Sequence, residues 1–273
     1  MKDGQPNTVR LEDYQVPSYL VDQTTLHVDI NEDETVVTAT LQVRRNPESV
    51  GGEFILDGGE LQTRRVVIDG RELLSNEYGI DDESLTIHDV PESFELVTEV
   101  MIKPQNNTGL EGLYKSGYMF CTQCEAQGFR NITWYPDRPD VMSIFRTTIA
   151  ADKKAYPILL SNGNDIERGD EGERHWVTWE DPFKKPAYLF ALVAGDLQHV
   201  EDSFTTMSGR DVKLQIFSEA HNIDKVDFAM ASLKHAMAWD ETTYGREYDL
   251  DLSLIHISEP TRPERIGGSG VWV

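Results

Sequence analysis

Basic side chains are scarce in this chain of 273 residues: 25 Lys and Arg stand against 48 Asp and Glu, a formal net charge of -23. A field of that sign repels phosphates, so nucleic acid and anionic membrane surfaces are excluded as expected partners, while a cationic ligand such as a peptide with a free amine is attracted. Long apolar runs are also missing. None approaches the roughly 18 residues of a membrane span, and the opening MKDGQPNTVRLEDYQ has no apolar core of a signal peptide, which predicts a cytoplasmic protein. With only two cysteines, no disulfide framework can form, as suits a reducing compartment. The chain contains no GxSxG, no Walker A, no dinucleotide fingerprint and no HExxH, so neither a serine-hydrolase elbow, a phosphate loop nor a zinc-protease helix is expected.

What is present is alternation. Leu26, Val28 and Ile30, then Val37, Ala39, Leu41 and Val43, then Phe94, Leu96, Val100 and Ile102 recur with period two. That spacing predicts half-buried antiparallel strands. NEDE at 31–34, DGGE at 57–60 and the Asp69–Gly70 pair supply turns, the last suited to a two-residue type I′ hairpin. With further strand-like runs at 143–150, 156–160, 175–179 and 187–194, the expectation is a mainly β chain. Residues 1–196 should form an antiparallel sheet or sandwich-like domain of roughly ten strands, with no helix before residue 220.

After Gly195–Asp196 the pattern changes. Strand-like residues continue to 218, and then Val226, Met230, Leu233 and Met237 step by four, three and four. One amphipathic helix over 222–243 is predicted, with Asn222 as its N-cap and Gly245 as its stop. The last 22 residues break with the rest: residues 1–251 hold 46 acidic and 23 basic side chains, whereas 252–273 hold two of each. Two prolines and a GGSG tract give that tail a linker-like composition.

CTQCEAQGFR, residues 121–130, contains both cysteines. Half a zinc site, a redox dithiol and a loop that presents Glu125 to a ligand are all compatible with it. Zinc lacks a second closely spaced ligand pair, and a dithiol lacks a following helix. The seven histidines, His27, His88, His175, His199, His221, His235 and His256, are scattered without an i, i+4 pair. YPDRPD at 135–140 is read as a proline-bracketed structural turn.

Four blocks carry a resemblance: GLEGLYKSG (109–117), CTQCEAQGFRNITWYPDRPDV (121–141), LLSNGN (159–164) and KPAYLFALVAGDL (185–197). In this order they resemble the N-terminal portion of the bacterial aminopeptidase N family of gluzincin zinc metallopeptidases, from about Tyr14 to Asp251. The resemblance implies an N-terminal β domain over 1–196, the opening strands and first long helix of a thermolysin-like catalytic domain over 197–251, and a non-family tail over 252–273. SLIHISEPTRP in that tail looks like translated sequencing adapter and is expected to carry no function.

The family's activity is removal of N-terminal residues from peptides by a zinc-bound water. Glu125 matches the glutamate that binds the substrate's α-amino group, and Gln123 a residue lining the first side-chain pocket. The family's GAMEN and HExxH segments are missing from this sequence. The chain is therefore expected to hold no zinc, to be inactive alone, and to have the remaining part of its catalytic domain as a partner. The alternative is a non-catalytic β domain that binds peptide N-termini or a protein.

Overall fold

A computed structural model describes residues 10–257. In chain order the strands are β1 (Tyr19–Ile30), β2 (Thr35–Arg45), β3 (Phe54–Asp57), β4 (Gln62–Ile68), β5 (Arg71–Glu72), β6 (Tyr78–Ile80), β7 (Ser84–Ile87), β8 (Ser93–Ile102), β9 (Gly112–Ser116), β10 (Met119–Gln123), β11 (Met142–Asp152), β12 (Ile158–Ser161), β13 (Asn164–Glu171), β14 (Arg174–Pro186) and β15 (Leu192–Gly195). After them come β16 (Gln198–Thr205), β17 (Asp211–Ser218), the helix α1 (Asp227–Tyr244) and β18 (Leu252–Ile257). No described helix is long and apolar enough to cross a membrane.

Eight strands form one sheet in the order β13-β14-β11-β1-β2-β8-β4-β5. Its buried face is the predicted one: Leu26, Val28, Val37, Ala39, Leu41, Leu96 and Val100 have no exposed surface. Full burial of each large aliphatic among them is worth about 1.5–3 kcal/mol relative to an exposed position. A three-stranded sheet, β3-β7-β6, packs on this face. Edge-to-face contacts of Phe54 with Tyr19 and with Phe94 fix the junction, at centroid distances of 5.1 and 5.2 Å. Sheet on sheet is therefore the architecture.

The turn chemistry holds at Asp69–Gly70, where φ is +49° and +78° and Ile68 pairs with Arg71. Both signs are those of a type I′ hairpin. Two expectations are corrected. Fifteen strands, not ten, precede residue 196, because β3, β5, β6 and β7 have two to four residues, too few for a period to be read. Moreover, β1 pairs with β11 in parallel, Gln23 opposite Ile144 through Asp29 opposite Ala150. Alternation marks a face and carries no strand direction.

The helix starts later than predicted. Asn222 precedes a short 3-10 turn, Ile223–Lys225, and its Oδ1 accepts from Lys225 Nζ at 2.6 Å instead of capping the backbone. α1 begins at Asp227, whose carboxylate suits the positive end of the helix dipole. Gly245 ends it as predicted, at φ +63° with its N–H on the Glu241 carbonyl at 3.0 Å. Val226, Met230 and Met237 form a second apolar cluster with Val212, Leu214 and Ile216 of β17. The apolar face of α1 thus packs on the neighbouring sheet, β16-β17-β18. β18 pairs in parallel with β17, so the first six residues of the atypical tail join that sheet, and 258–273 lie outside the described residues.

This second cluster is small, and α1 leaves Phe228, Trp239 and Tyr244 exposed. Local stability follows buried contact. Amide hydrogen exchange is expected to show α1 and β16–β18 opening as one unit ahead of the eight-stranded sheet, whereas equal protection in both would contradict a weaker second unit.

Candidate functional site

The four sequence blocks come together in space. Each contributes to one strand of a single four-stranded sheet in the order β12-β15-β10-β9: residues 112–116 of the first block form β9, 121–123 of the second end β10, 159–161 of the third lie in β12 and 192–195 of the fourth form β15. Side chains tie the sheet's ends: Ser161 Oγ donates to the Ala191 carbonyl at 2.7 Å, and the Asn162 amide joins the Leu189 carbonyl and the Ala191 N–H. At the other end, one Asn107 side chain donates to the carbonyls of Glu111 and Leu113 and accepts from the Leu110 N–H. That amide holds Leu110 at φ +57°, a left-handed conformation unusual for leucine.

Glu125 sits where β10 ends. Gln123 is the last paired residue, opposite Gly112, and Cys124 turns inward to full burial. The Gly128 N–H then closes the turn on the Cys124 carbonyl at 2.8 Å. Glycine is required at 128, because a Cβ there would stand 2.4 Å from the Gln123 carbonyl and 2.9 Å from the Gly112 nitrogen. Glu125 is exposed at the tip, and its peptide bond to Ala126 is cis. Among the described residues its carboxylate has no hydrogen-bond or ion-pair partner. Gln123 is half-buried beside it and donates from Nε2 to the Glu125 carbonyl at 3.3 Å.

Behind the tip the turn is anchored in the core. Phe129 is fully buried, edge-on to Tyr135, Phe145 and Phe190. Arg130 points to two carboxylates that sequence reasoning did not single out. Its N–H and Nε donate to Asp137 Oδ2 at 3.1 and 3.3 Å, and its Nη1 lies 3.5 Å from Asp57 Oδ1. Asp57 Oδ2 accepts from the Asp137 N–H at 2.9 Å. YPDRPD is thus a turn, as read, whose first aspartate is a buried counter-charge, and burial pushes its carboxyl above the usual range against the pull of Arg130. The acidic residue between two prolines was the available signal. Its partner seven residues upstream could not be seen without the fold.

The cysteines are free, buried thiols. Burial raises both, and at Cys124 the nearby Asp137 carboxylate adds to it. A redox dithiol needs the opposite shift. Ellman's reagent at pH 8 is therefore expected to label neither in the folded chain and both after unfolding, and rapid labelling of one native thiol would restore the redox reading. Among the described residues no group of three or more His, Cys, Asp or Glu is placed to hold a metal ion. The donors among the described residues do not fit zinc. A separate cleft of about 830 Å³ runs between Asp181, Lys185 and Leu189 on one side and Met237, Tyr248 and Leu254 on the other, away from Glu125 and Gln123.

The Peptidase M1 N-terminal domain model matches residues 12–189. Aminopeptidase N of Caulobacter vibrioides is 49% identical over 259 residues, covering 93% of this chain and 29% of that protein. Aminopeptidase N of Escherichia coli is 46% identical over 252 residues, covering 92% of this chain and 29% of that protein. Among solved structures, Legionella pneumophila aminopeptidase A in complex with aspartic acid superposes with a TM-score of 0.86 at 35% identity, over 91% of this chain and 30% of that one. An M1 zinc metallopeptidase from Deinococcus radiodurans, bound to a Tyr-Ser-Ala substrate, shares the fold with a TM-score of 0.74 at 13% identity, over 89% of this chain and 58% of that one. The chain spans under a third of the length of these curated relatives.

Proposed function

Because this chain belongs to the M1 peptidase family through its N-terminal domain, we propose that it is the part of a zinc aminopeptidase that receives the substrate's free α-amine. In this reading residues 1–196 are the N-terminal β domain and 197–251 open the catalytic domain. The remaining part supplies zinc and its activated water.

The observation that carries the proposal is the Glu125 carboxylate, exposed and without a partner among the described residues, on a turn whose two sides are anchored. An unpaired carboxylate held by buried backbone is a preorganised acceptor for the three N–H donors of an ammonium. Gln123 beside it would touch the first side chain. The net charge of -23 adds a field that draws in a cationic N-terminus. Holding the amine fixes which peptide bond is presented, so cleavage is confined to the first.

The test joins residues 1–251 to the remaining part of the Caulobacter vibrioides enzyme. The joined enzyme is expected to hydrolyse alanine p-nitroanilide and to reject its N-acetyl derivative, while the chain alone turns over neither and binds no stoichiometric zinc by elemental analysis after dialysis. Equal use of both substrates would refute an amine site. Turnover with bound zinc in the chain alone would require a metal site elsewhere.

A further inference from the structure

We propose that Arg130 is a positioning residue, held between Asp57 and Asp137, that fixes where the Glu125 carboxylate stands; the proposal rests on the amine-site reading above. Between Glu125 and Arg130 the chain has little freedom. Gly128 is bonded to the Cys124 carbonyl and pressed against Gly112 and Gln123, and Phe129 is locked in its aromatic cluster. Arg130 terminates that segment with contacts at every polar group it has: the backbone N–H and Nε go to Asp137 Oδ2, Nη2 goes to the Asp137 carbonyl at 3.4 Å, Nη1 faces Asp57, and its own carbonyl accepts from the Gly59 N–H at 3.2 Å.

Asp137 is only 2% exposed, so its charge has lost water and depends on the guanidinium. Asp57 belongs to β3 and pairs with Tyr135 through both backbone groups. The network therefore ties the amine-site turn to the β3-β7-β6 sheet, which β10 itself does not join. A lysine could not reproduce it, because one ammonium cannot address two carboxylates along a planar fork.

A role limited to stability would lower the unfolding midpoint and leave substrate affinity alone. A positioning role predicts more. In the joined enzyme, Arg130→Gln is expected to raise KM for alanine p-nitroanilide roughly tenfold or more, the scale of a carboxylate displaced by a fraction of an ångström to an ångström, with kcat and zinc content close to unchanged and Arg130→Lys in between. The double variant Glu125→Gln/Arg130→Gln is expected to match the KM of Glu125→Gln alone, since a misplaced carboxylate that is already gone costs nothing further. In the chain as it stands, Arg130→Gln is expected to speed exchange of the Gly128 amide at least tenfold without touching β1 and β2.

Where Arg130→Gln does not fold, Asp57→Asn, which keeps Asp137 paired, gives the same non-additive pattern at smaller size. Full additivity with Glu125→Gln, a fall in kcat at constant KM, or unchanged exchange at Gly128 would overturn the proposal. A raised KM in Glu125→Gln with an unchanged KM in Arg130→Gln would overturn it while leaving the amine site intact. An unchanged KM in Glu125→Gln would remove both.

Discussion

Glu125→Ala, in the enzyme completed with the Caulobacter vibrioides catalytic part, is expected to lower kcat/KM for alanine p-nitroanilide by roughly a hundred- to a thousandfold, with zinc content unchanged. An ammonium about 4 Å from a carboxylate at an effective dielectric near 20 gains roughly 4 kcal/mol before desolvation is counted. A thousandfold is the ceiling that this figure allows, and the cost of drying both groups brings the expectation down toward a hundredfold. The loss should fall largely on KM, because an amine held at Glu125 would be bound in the ground state as well as in the transition state. Stability should hardly change: Glu125 is exposed and has no partner among the described residues, and substitutions at such positions stay within about 0.5 kcal/mol. A variant with unchanged KM and kcat would remove Glu125 from the site. Parallel loss of zinc or of thermal stability would mean that the effect is not electrostatic.

That experiment separates the site's charge from its scaffold, and the two were unequally legible in the sequence. Long elements could be read because period two persists over most of β2, β8 and β11 and over residues 24–30 of β1. The Gly245 stop and the Asp69–Gly70 hairpin were legible for a different reason: each needs a positive φ that few residues tolerate. The start of α1 was not legible, since Asn222 has the chemistry of an N-cap but bonds Lys225 and His221 instead, and a 3-10 turn intervenes. Nor was the parallel pairing of β1 with β11, which joins residues more than 100 positions apart.

Glu125 could be named as one reading of the CTQCEAQGFR segment, but its role came only through resemblance, because one acidic residue among 48 has no local signal for an amine. The structure adds why the exposed stretch is short: Cys124 on one side and Gly128 with Phe129 on the other are buried, which leaves 125–127 at the surface. The four blocks that carry the resemblance each contribute to one strand of a single sheet. Neither Arg130 nor Asp57 could be assigned a role beforehand, since the contact that defines them spans 73 residues of chain and exists only after folding.

Lys185→Met is expected to destabilise the chain by about 3–5 kcal/mol, the usual cost of stranding one member of a buried ion pair. Lys185 Nζ donates to Asp181 Oδ2 at 2.8 Å, and the two side chains are 9% and 13% exposed. The ammonium also stands 4.5 Å from the centre of the Phe145 ring, which methionine can only partly replace. Restoring neutrality in Lys185→Met/Asp181→Leu should recover most of the loss, since two packed apolar groups have no charge left to desolvate.

The pH dependence supplies an independent check. Burial holds the Lys185 ammonium below its ordinary value of 10.5, although Asp181 pulls the other way. The folded state thus binds this proton less tightly than the unfolded chain, so between the lowered and the ordinary value the unfolded state carries more protons and this group's contribution to stability rises with pH. Urea unfolding of the wild type from pH 8 upward, minus that of Lys185→Met, should show this positive difference, ending near 10.5. A difference of the opposite sign would mean that Asp181 dominates and the lysine is raised. A single variant as stable as the wild type would mean that water reaches the pair through the adjoining cleft.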